Sequence, residues 1–536
     1  RGGPCARGTF RAPAVLAVQL LRWGLREAPA PRPELGTWPG LWRSHLAEWE
    51  GFWGESYLEI PASPVTEFHW HMSQYLLRAS SAGEAAPGLF GPFVVDDEVS
   101  WGGDVTLNYN AEATYYAAAA SNHLAAFEPY FRTVLEYLPT ARRLAALRSP
   151  GCEGALHFPG HILPSGVTAG TGGDMGQKQT GLFAAVPFLL FWRHTRDLGF
   201  AARARPLLRG LAAFWECNLQ LGEDALLHDF EDCAEELCLP DGNVQPDPAV
   251  VLALLPALFG DLAEISELLD VEAQVRPRWR LLAQRVAEYP TEAVEGQEVI
   301  ADFLGGEGAR GLALRLHEGG GVAWGGLFAS FPLGTVGLAS PPAGLQLVHR
   351  SLERFLRAWP GAKQGNSFPH FFAAAARVAW QPERLLGIWE AYLLNTTDAK
   401  CCMFPNGMVL GCGGTGLENV GAAAYANEML LQAPGGVLQV FPALPKGLAA
   451  GFRLRAVGGF LVSASRLAGQ GPAEVRVELP PAGQDGVAAP EECALLGPWG
   501  APGALVNGAA VVLDAAGVLR FPVRPGETYV LRPPTD

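Results

Sequence analysis

From Phe68 to Leu431, apolar residues return at i, i+3 and i+4 in one segment after another, and beyond Gln432 that period stops. This pattern predicts helices over roughly Phe68–Ala79, Ala111–Leu124, Tyr130–Leu147, Thr180–Thr195, Ala201–Leu219 and Ala249–Leu268. It continues over Pro277–Ala287, Leu345–Ala358, Phe371–Ala379, Glu383–Leu394 and Val420–Leu431. Glycine- and proline-rich loops separate them, and two of these loops, 148–177 and 228–248, are long enough to carry function. After Gln432, Val437–Phe441, Phe452–Val457, Gly459–Ala464, Ala473–Glu478 and Thr528–Arg532 read as short strands between turns. The chain therefore divides into an irregular leader (1–45), a helical domain (46–432) and a C-terminal all-β domain (433–536). Helices paired in sequence, with alternating short and long loops, suit an (α/α) toroid whose loops form a cleft at one end.

Composition narrows the function. With 536 residues, 49% of them hydrophobic and 17% charged, the chain is a well-buried globular protein. A net charge of -15 argues against nucleic acid as a partner, since phosphate binding needs clustered cations. Lysine is confined to Lys178, Lys363, Lys400 and Lys446, which we read as coding bias. The nine cysteines include no paired CxxC spacing, so they are expected to be mostly buried free thiols and no metal site is expected. The runs Val15–Leu21 and Val186–Trp192 are too short to span a bilayer, so a soluble protein and no membrane partner are expected. The sequence opens at Arg1 rather than Met, which leaves room for a missing upstream segment and for secretion; location is otherwise undetermined.

Five groups of residues could carry chemistry. Glu418 sits in Gly413–Val420, at the mouth of a glycine-rich loop where an apolar helix begins, and Asn419 follows it. The positive end of a helix favours an ionised carboxylate there, as a general base requires. Asn108 and Asn110 precede another helix; if the segment is extended, both amides face one side and could orient a water. They read equally as a turn residue and an N-cap. The segment Phe230–Cys238 holds Glu231, Asp232, Glu235 and Glu236 among apolar neighbours. Partly buried carboxylates that repel one another gain protons, which suits a general acid, although a solvated acidic loop fits the same residues. Asp174, Gln177 and Gln179 open a further helix and could bond sugar hydroxyls, with Asp174 equally suited to capping. His157, His161 and His370, in or beside loops rich in Gly, Pro and aromatics, are hydroxyl ligands or structural residues. No nucleophile elbow, P-loop or dinucleotide fingerprint is present.

Several stretches in order resemble glycoside hydrolase family 95, the α-L-fucosidase and α-L-galactosidase family. Pro87–Gly91 with Trp101–Tyr116 is similar to its Trp-Gly … Asn-x-Asn … Tyr-Trp stretch. Phe183–Leu219 resembles its paired barrel helices, and Asn427–Gln432 with Phe441–Pro445 its exit from the barrel. Arg453–Val462 is similar to its first C-terminal strands. The resemblance covers about Phe52 to the end. It implies a mostly α protein, an (α/α)6 six-hairpin barrel followed by a β domain, that inverts the anomeric centre with two carboxyl groups and needs no cofactor. It puts the base on Glu418, its helpers on Asn108 and Asn110, and the general acid near Asp232–Glu236, with Glu236 chosen. Trp101, Asp174, Gln177, His161, His370 and Asn419 are the expected substrate contacts. The chain departs from the family in having Glu418 in place of Asp, in lacking the Ser-Pro pattern at the acid, and in lacking the N-terminal β-sandwich. The expected partner is an oligosaccharide or glycan. A barrel that binds sugar without cleaving it, and a phosphorylase or lyase on the same toroid, are the alternatives.

Overall fold

In the computed structural model, the described residues are 37–93, 99–164, 166–169, 177–232, 246–305, 325–359, 367–394, 403–409, 416–481 and 486–534. The chain forms two compact units, Arg1–Gly51 and Phe52–Asp536. The helix α1 (Trp38–Gly54) runs across the position, 45, at which an irregular leader was expected to end.

The second unit is mostly helical. After α2 (Pro64–Ser80), helices alternate between an inner and an outer layer. The pairs are α3 (Asn110–Ala113) with α4 (Glu128–Arg148), α5 (Thr180–Thr195) with α6 (Leu198–Asn218), and α7 (Ala249–Leu268) with α8 (Arg276–Arg285). They continue as α9 (Gly325–Phe328) with α10 (Pro342–Ala358) and α11 (Phe368–Arg377) with α12 (Pro382–Leu394). The last inner element is a 3-10 turn, Leu417–Ala423, that runs into α13 (Ala424–Leu430). Each inner element touches the next, α3 to α5, α5 to α7, α7 to α9, α9 to α11, and α11 to the 417–430 segment, which returns to α3. That closed ring is the (α/α)6 barrel. In such a ring the inner helices run in one direction, so their N-termini share one face and their C-termini the other.

Inner helices are apolar all round because they are buried all round. In α5, Thr180–Leu190 are buried without exception, and α7 is buried along most of its length. Among the described helices α7 alone is long and apolar enough to cross a membrane, and it is 83% buried inside the ring. The first inner helix departs from the expected Ala111–Leu124. Regular α-helix ends at Ala113, and tight turns follow to Asn122. The ring closes tightly here, since a Cβ on Gly421 would lie 1.9 Å from the carbonyl oxygen of Ala113.

The β domain is built on a seven-stranded sheet. Its edge strand, Tyr57–Glu59, comes from before the barrel and pairs antiparallel with Ala450–Arg455. Leu461–Arg466, Pro472–Glu478 and Thr528–Arg532 follow, then the hairpin Gly503–Val506 and Ala509–Val512. A second, four-stranded sheet packs Glu492–Leu496 between Val437–Val440 and Val518–Pro522. Cys152 and Cys217 form a disulfide, against the expectation of free thiols, and Cys493 is free and buried.

Candidate active site

The residues suited to chemistry gather where the inner helices begin. Glu418 stands in the first turn of the 3-10 segment and is 4% exposed. Its carboxylate folds back over the preceding turn, so that a Cβ on Gly416 would lie 2.1 Å from Oε2. Burial pushes the Glu418 carboxyl up to about 7, against the opposing pull of its own backbone N–H and the Asn110 side chain. The helix N-terminus, expected to favour the ionised form, is opposed here by desolvation. Oε2 has no hydrogen-bond partner among the described residues.

Asn110 is the first residue of α3, and its side chain bonds Glu418. The N-cap position belongs to Tyr109, whose side chain caps nothing. Tyr109 has φ 115°, so the 108–110 segment is not extended, and the extended-strand argument for placing Asn108 and Asn110 on one side fails. The Tyr109 ring lies 5.1 Å from that of His370, whose Nε2 is 3.0 Å from Tyr116 Oη. His370 is fully buried behind Tyr109 at the start of α11.

Across the ring, the turn before α5 meets the loop before α7. Lys178 Nζ donates to Asp229 Oδ1 at 2.7 Å, and its backbone N–H donates to Asp232 Oδ1 at 2.8 Å. All three residues are buried. Burial, then the charge of Asp229, drives the Asp232 carboxyl well above the ordinary range. Asp229 rises too, through burial, but Lys178 opposes the rise. Of the two, Asp232 is the one pushed further towards the protonated form, because Asp229 has Lys178 beside it. Asp247 steadies the loop, accepting from the Asp229 backbone N–H at 3.0 Å and facing His228 Nδ1 at 2.7 Å. Glu235, Glu236 and Asp174 lie outside the described residues.

The other expected contacts divide into accessible and committed groups. Gln177 and Gln179 are buried, and their side-chain amides have no partner among the described residues. Trp101 is 47% exposed and takes a left-handed backbone, φ 52°. His161 is tied down, its Nδ1 3.1 Å from both oxygens of Asp104. Asn419 donates to the Val409 carbonyl at 3.1 Å. His157 stacks on Phe214 inside the barrel.

Sequence reasoning missed Asp229, Lys178 and Glu112. Glu112 is fully buried, accepts from Tyr130 Oη at 2.9 Å, and is pushed up to about 8 by burial. The scarcity of lysine was a usable signal for Lys178, the one lysine next to a helix start inside a candidate motif.

Residues 61–302 match the model of the glycosyl hydrolase family 95 catalytic domain. The match spans less than half of the chain and marks this part as resembling a glycoside hydrolase catalytic domain. The match includes Asn108, Asn110 and Asp232 and ends before Glu418. Among solved structures, an α-L-rhamnosidase from Dictyoglumus thermophilum is similar with TM-score 0.52 and 12% identity, covering 89% of this chain and 50% of its own. A protein described as a kojibiose phosphorylase from the human microbiome is similar with TM-score 0.50 and 11% identity, covering 92% of this chain and 70% of its own. The chain thus spans half the length of the rhamnosidase. At these identities the likeness establishes the barrel and β-domain fold alone. No curated protein sequence matches the chain.

Proposed function

We propose that the protein is an inverting glycoside hydrolase acting on a terminal α-L-fucoside or α-L-galactoside. One observation carries this reading: a buried carboxyl, Glu418, bonded to the Asn110 side chain, with Oε2 free among the described residues. A general base works best when its pKa lies near the operating pH, and burial brings Glu418 to about 7. With Asn110 holding the carboxylate, Oε2 accepts the proton of a water as that water attacks the anomeric carbon. Asn108 is its second helper.

The acid comes from the loop before α7. The family resemblance favours Glu236, while Asp232 is a described acid of the same loop whose carboxyl burial and Asp229 drive well above the ordinary range. In an inverting enzyme the two carboxyls stand roughly 6.5–9.5 Å apart, leaving room for the water. Gln177 and Gln179 supply donors and acceptors for hydroxyls, and Trp101 an exposed ring on which a sugar can stack. A second reading, a barrel that binds glycans without cleaving them, draws on the complete burial of Asp229 and Asp232 around Lys178.

The deciding experiment is sugar release from α-L-fucosides, α-L-galactosides and plant-type oligosaccharides, with and without phosphate, comparing wild type and Glu418→Gln. The anomer first formed is read by proton NMR. Inverted free sugar from wild type alone supports the proposal. Binding without release supports the second reading, and a sugar phosphate would make the protein a phosphorylase.

A further inference from the structure

The opposite face of the ring, where the inner helices end, holds a half-open cavity of about 450 Å³ that the glycosidase reading does not use. Arg193 and His194 reach it from the last turn of α5, Arg377 from the last residue of α11, and Arg196 from the turn after α5. Arg455 enters from the β domain, at the end of strand Ala450–Arg455. The loop 332–340 and the turn Pro434–Gly436 complete the wall.

Three of the four guanidiniums are answered by carboxylates. Arg193 donates to Asp261 through Nε and Nη2, Arg196 to Glu264 through Nη1 and Nη2, and Arg377 pairs with Glu428 through Nε and Nη2. Arg455 has no such carboxylate. Its Nε donates to Asn122 Oδ1 at 2.6 Å and its Nη1 to the Gly459 carbonyl at 3.2 Å. Glu55 stands behind Asn122, whose Nδ2 donates to Glu55 Oε2, and its charge acts on Arg455 from there. The cavity wall thus holds four guanidiniums and three carboxylates, a surplus of one positive charge. No described hydrogen bond takes Nη1 of Arg193, Nη1 of Arg377 or Nη2 of Arg455. Burial, and after it the charges of Arg455, Arg377 and Arg193, lower the pKa of His194 to about 4.

Basic side chains at helix C-termini are expected from the helix dipole alone. The dipole does not explain Arg455, which comes from a strand and whose burial, only partly offset by the charge of Glu55, lowers its pKa to about 10. We propose that this cavity is a second binding site, for a small ligand bearing an oxyanion, such as a uronic acid or inorganic phosphate, with Arg455 as the charged anchor and the spare N–H groups of Arg193 and Arg377 beside it. Planar guanidiniums take carboxylate and phosphate oxygens in pairs. The site lies on the face away from Glu418 and does not depend on the catalytic reading.

The test is calorimetric titration of the full chain with inorganic phosphate, galacturonate and galactose. Binding of phosphate or galacturonate with galactose silent is the expected result, and the ratio of the two anions identifies the source. Arg455→Met keeps the apolar stem and should weaken anion binding at least tenfold. Gly337→Glu guards against a folding failure in that variant. A Cβ there meets only the Arg377 side chain, at 3.9 Å, and the new carboxylate should likewise weaken binding at least tenfold. Glu418→Gln should bind anions as wild type does. Absence of anion binding, equal binding of galactose, or anion binding that survives in a folded Gly337→Glu or is lost in Glu418→Gln would overturn the proposal.

Discussion

The two faces of the helical ring handle charge in opposite ways. On the C-terminal face, three guanidiniums meet three carboxylates in two-pronged pairs. On the N-terminal face, among the described residues, Glu112, Glu418, Asp229 and Asp232 are buried with one ammonium, Lys178, which pairs with Asp229. Charges paired in this way are settled, whereas carboxyls buried without a cation apiece are driven to hold protons. Proton transfer needs groups of the second kind, so the comparison alone would direct a search for the reaction to the N-terminal face.

The sharpest way to break that contrast is to remove the proton acceptor. Glu418→Gln should lower kcat by roughly 10²–10⁴-fold, with circular dichroism and thermal midpoint unchanged or raised. Full activity in this variant would remove Glu418 from the mechanism. Asp232→Asn comes next: if the Asp229–Asp232 pair supplies the acid, kcat should fall by roughly 10²-fold, and the basic limb of the pH profile should move. A structural pair would instead lower the thermal midpoint and leave the profile in place. Gly416→Ala tests positioning. Its Cβ would meet the carboxylate of Glu418, and the displaced base should lose on the order of 10²-fold in kcat/KM.

The pH dependence sharpens the same comparison with smaller effects. The base must be ionised to work, so kcat/KM should rise with pH through about 7, where Glu418 titrates. Stability should run the other way. The folded protein keeps a proton on Glu418 up to about 7 and on Glu112 up to about 8, whereas the unfolded chain releases both near 4.5. More protons are then bound folded than unfolded, so stability falls as pH rises from about 4.5 to about 8 and levels off above. Glu112→Gln is expected to remove part of that slope in urea titrations at several pH values, with little change at pH 4. An unchanged slope would mean that Glu112 is ionised when folded.

Legibility in the sequence followed periodicity. Thr180–Thr195, Ala249–Leu268 and Thr528–Arg532 were readable to the residue, because uniform apolar faces between clear turn signals leave no other solution. Ala111–Leu124 misled, since Tyr109 takes a left-handed backbone and the alanine run Ala117–Ala120 carries no facial pattern. The strands Glu492–Leu496, Gly503–Val506, Ala509–Val512 and Val518–Pro522 were missed as they are short and set among glycines and prolines. At the site, Glu418 stood out as an acid in a glycine-rich loop. The bond between Lys178 and Asp229, 51 residues apart, is a product of the ring closing and has no local trace.

The strand Tyr57–Glu59 lies before the first ring helix in sequence, yet it forms the edge of the C-terminal sheet. The β domain is therefore not a detachable cassette. A fragment starting at residue 433 would leave the backbone of Ala450–Arg455 unpaired along one side, an open template for aggregation. The same strand ends in Arg455. Inheritance of this domain by another protein, or its exchange between relatives, would have to bring along three residues encoded almost four hundred positions upstream.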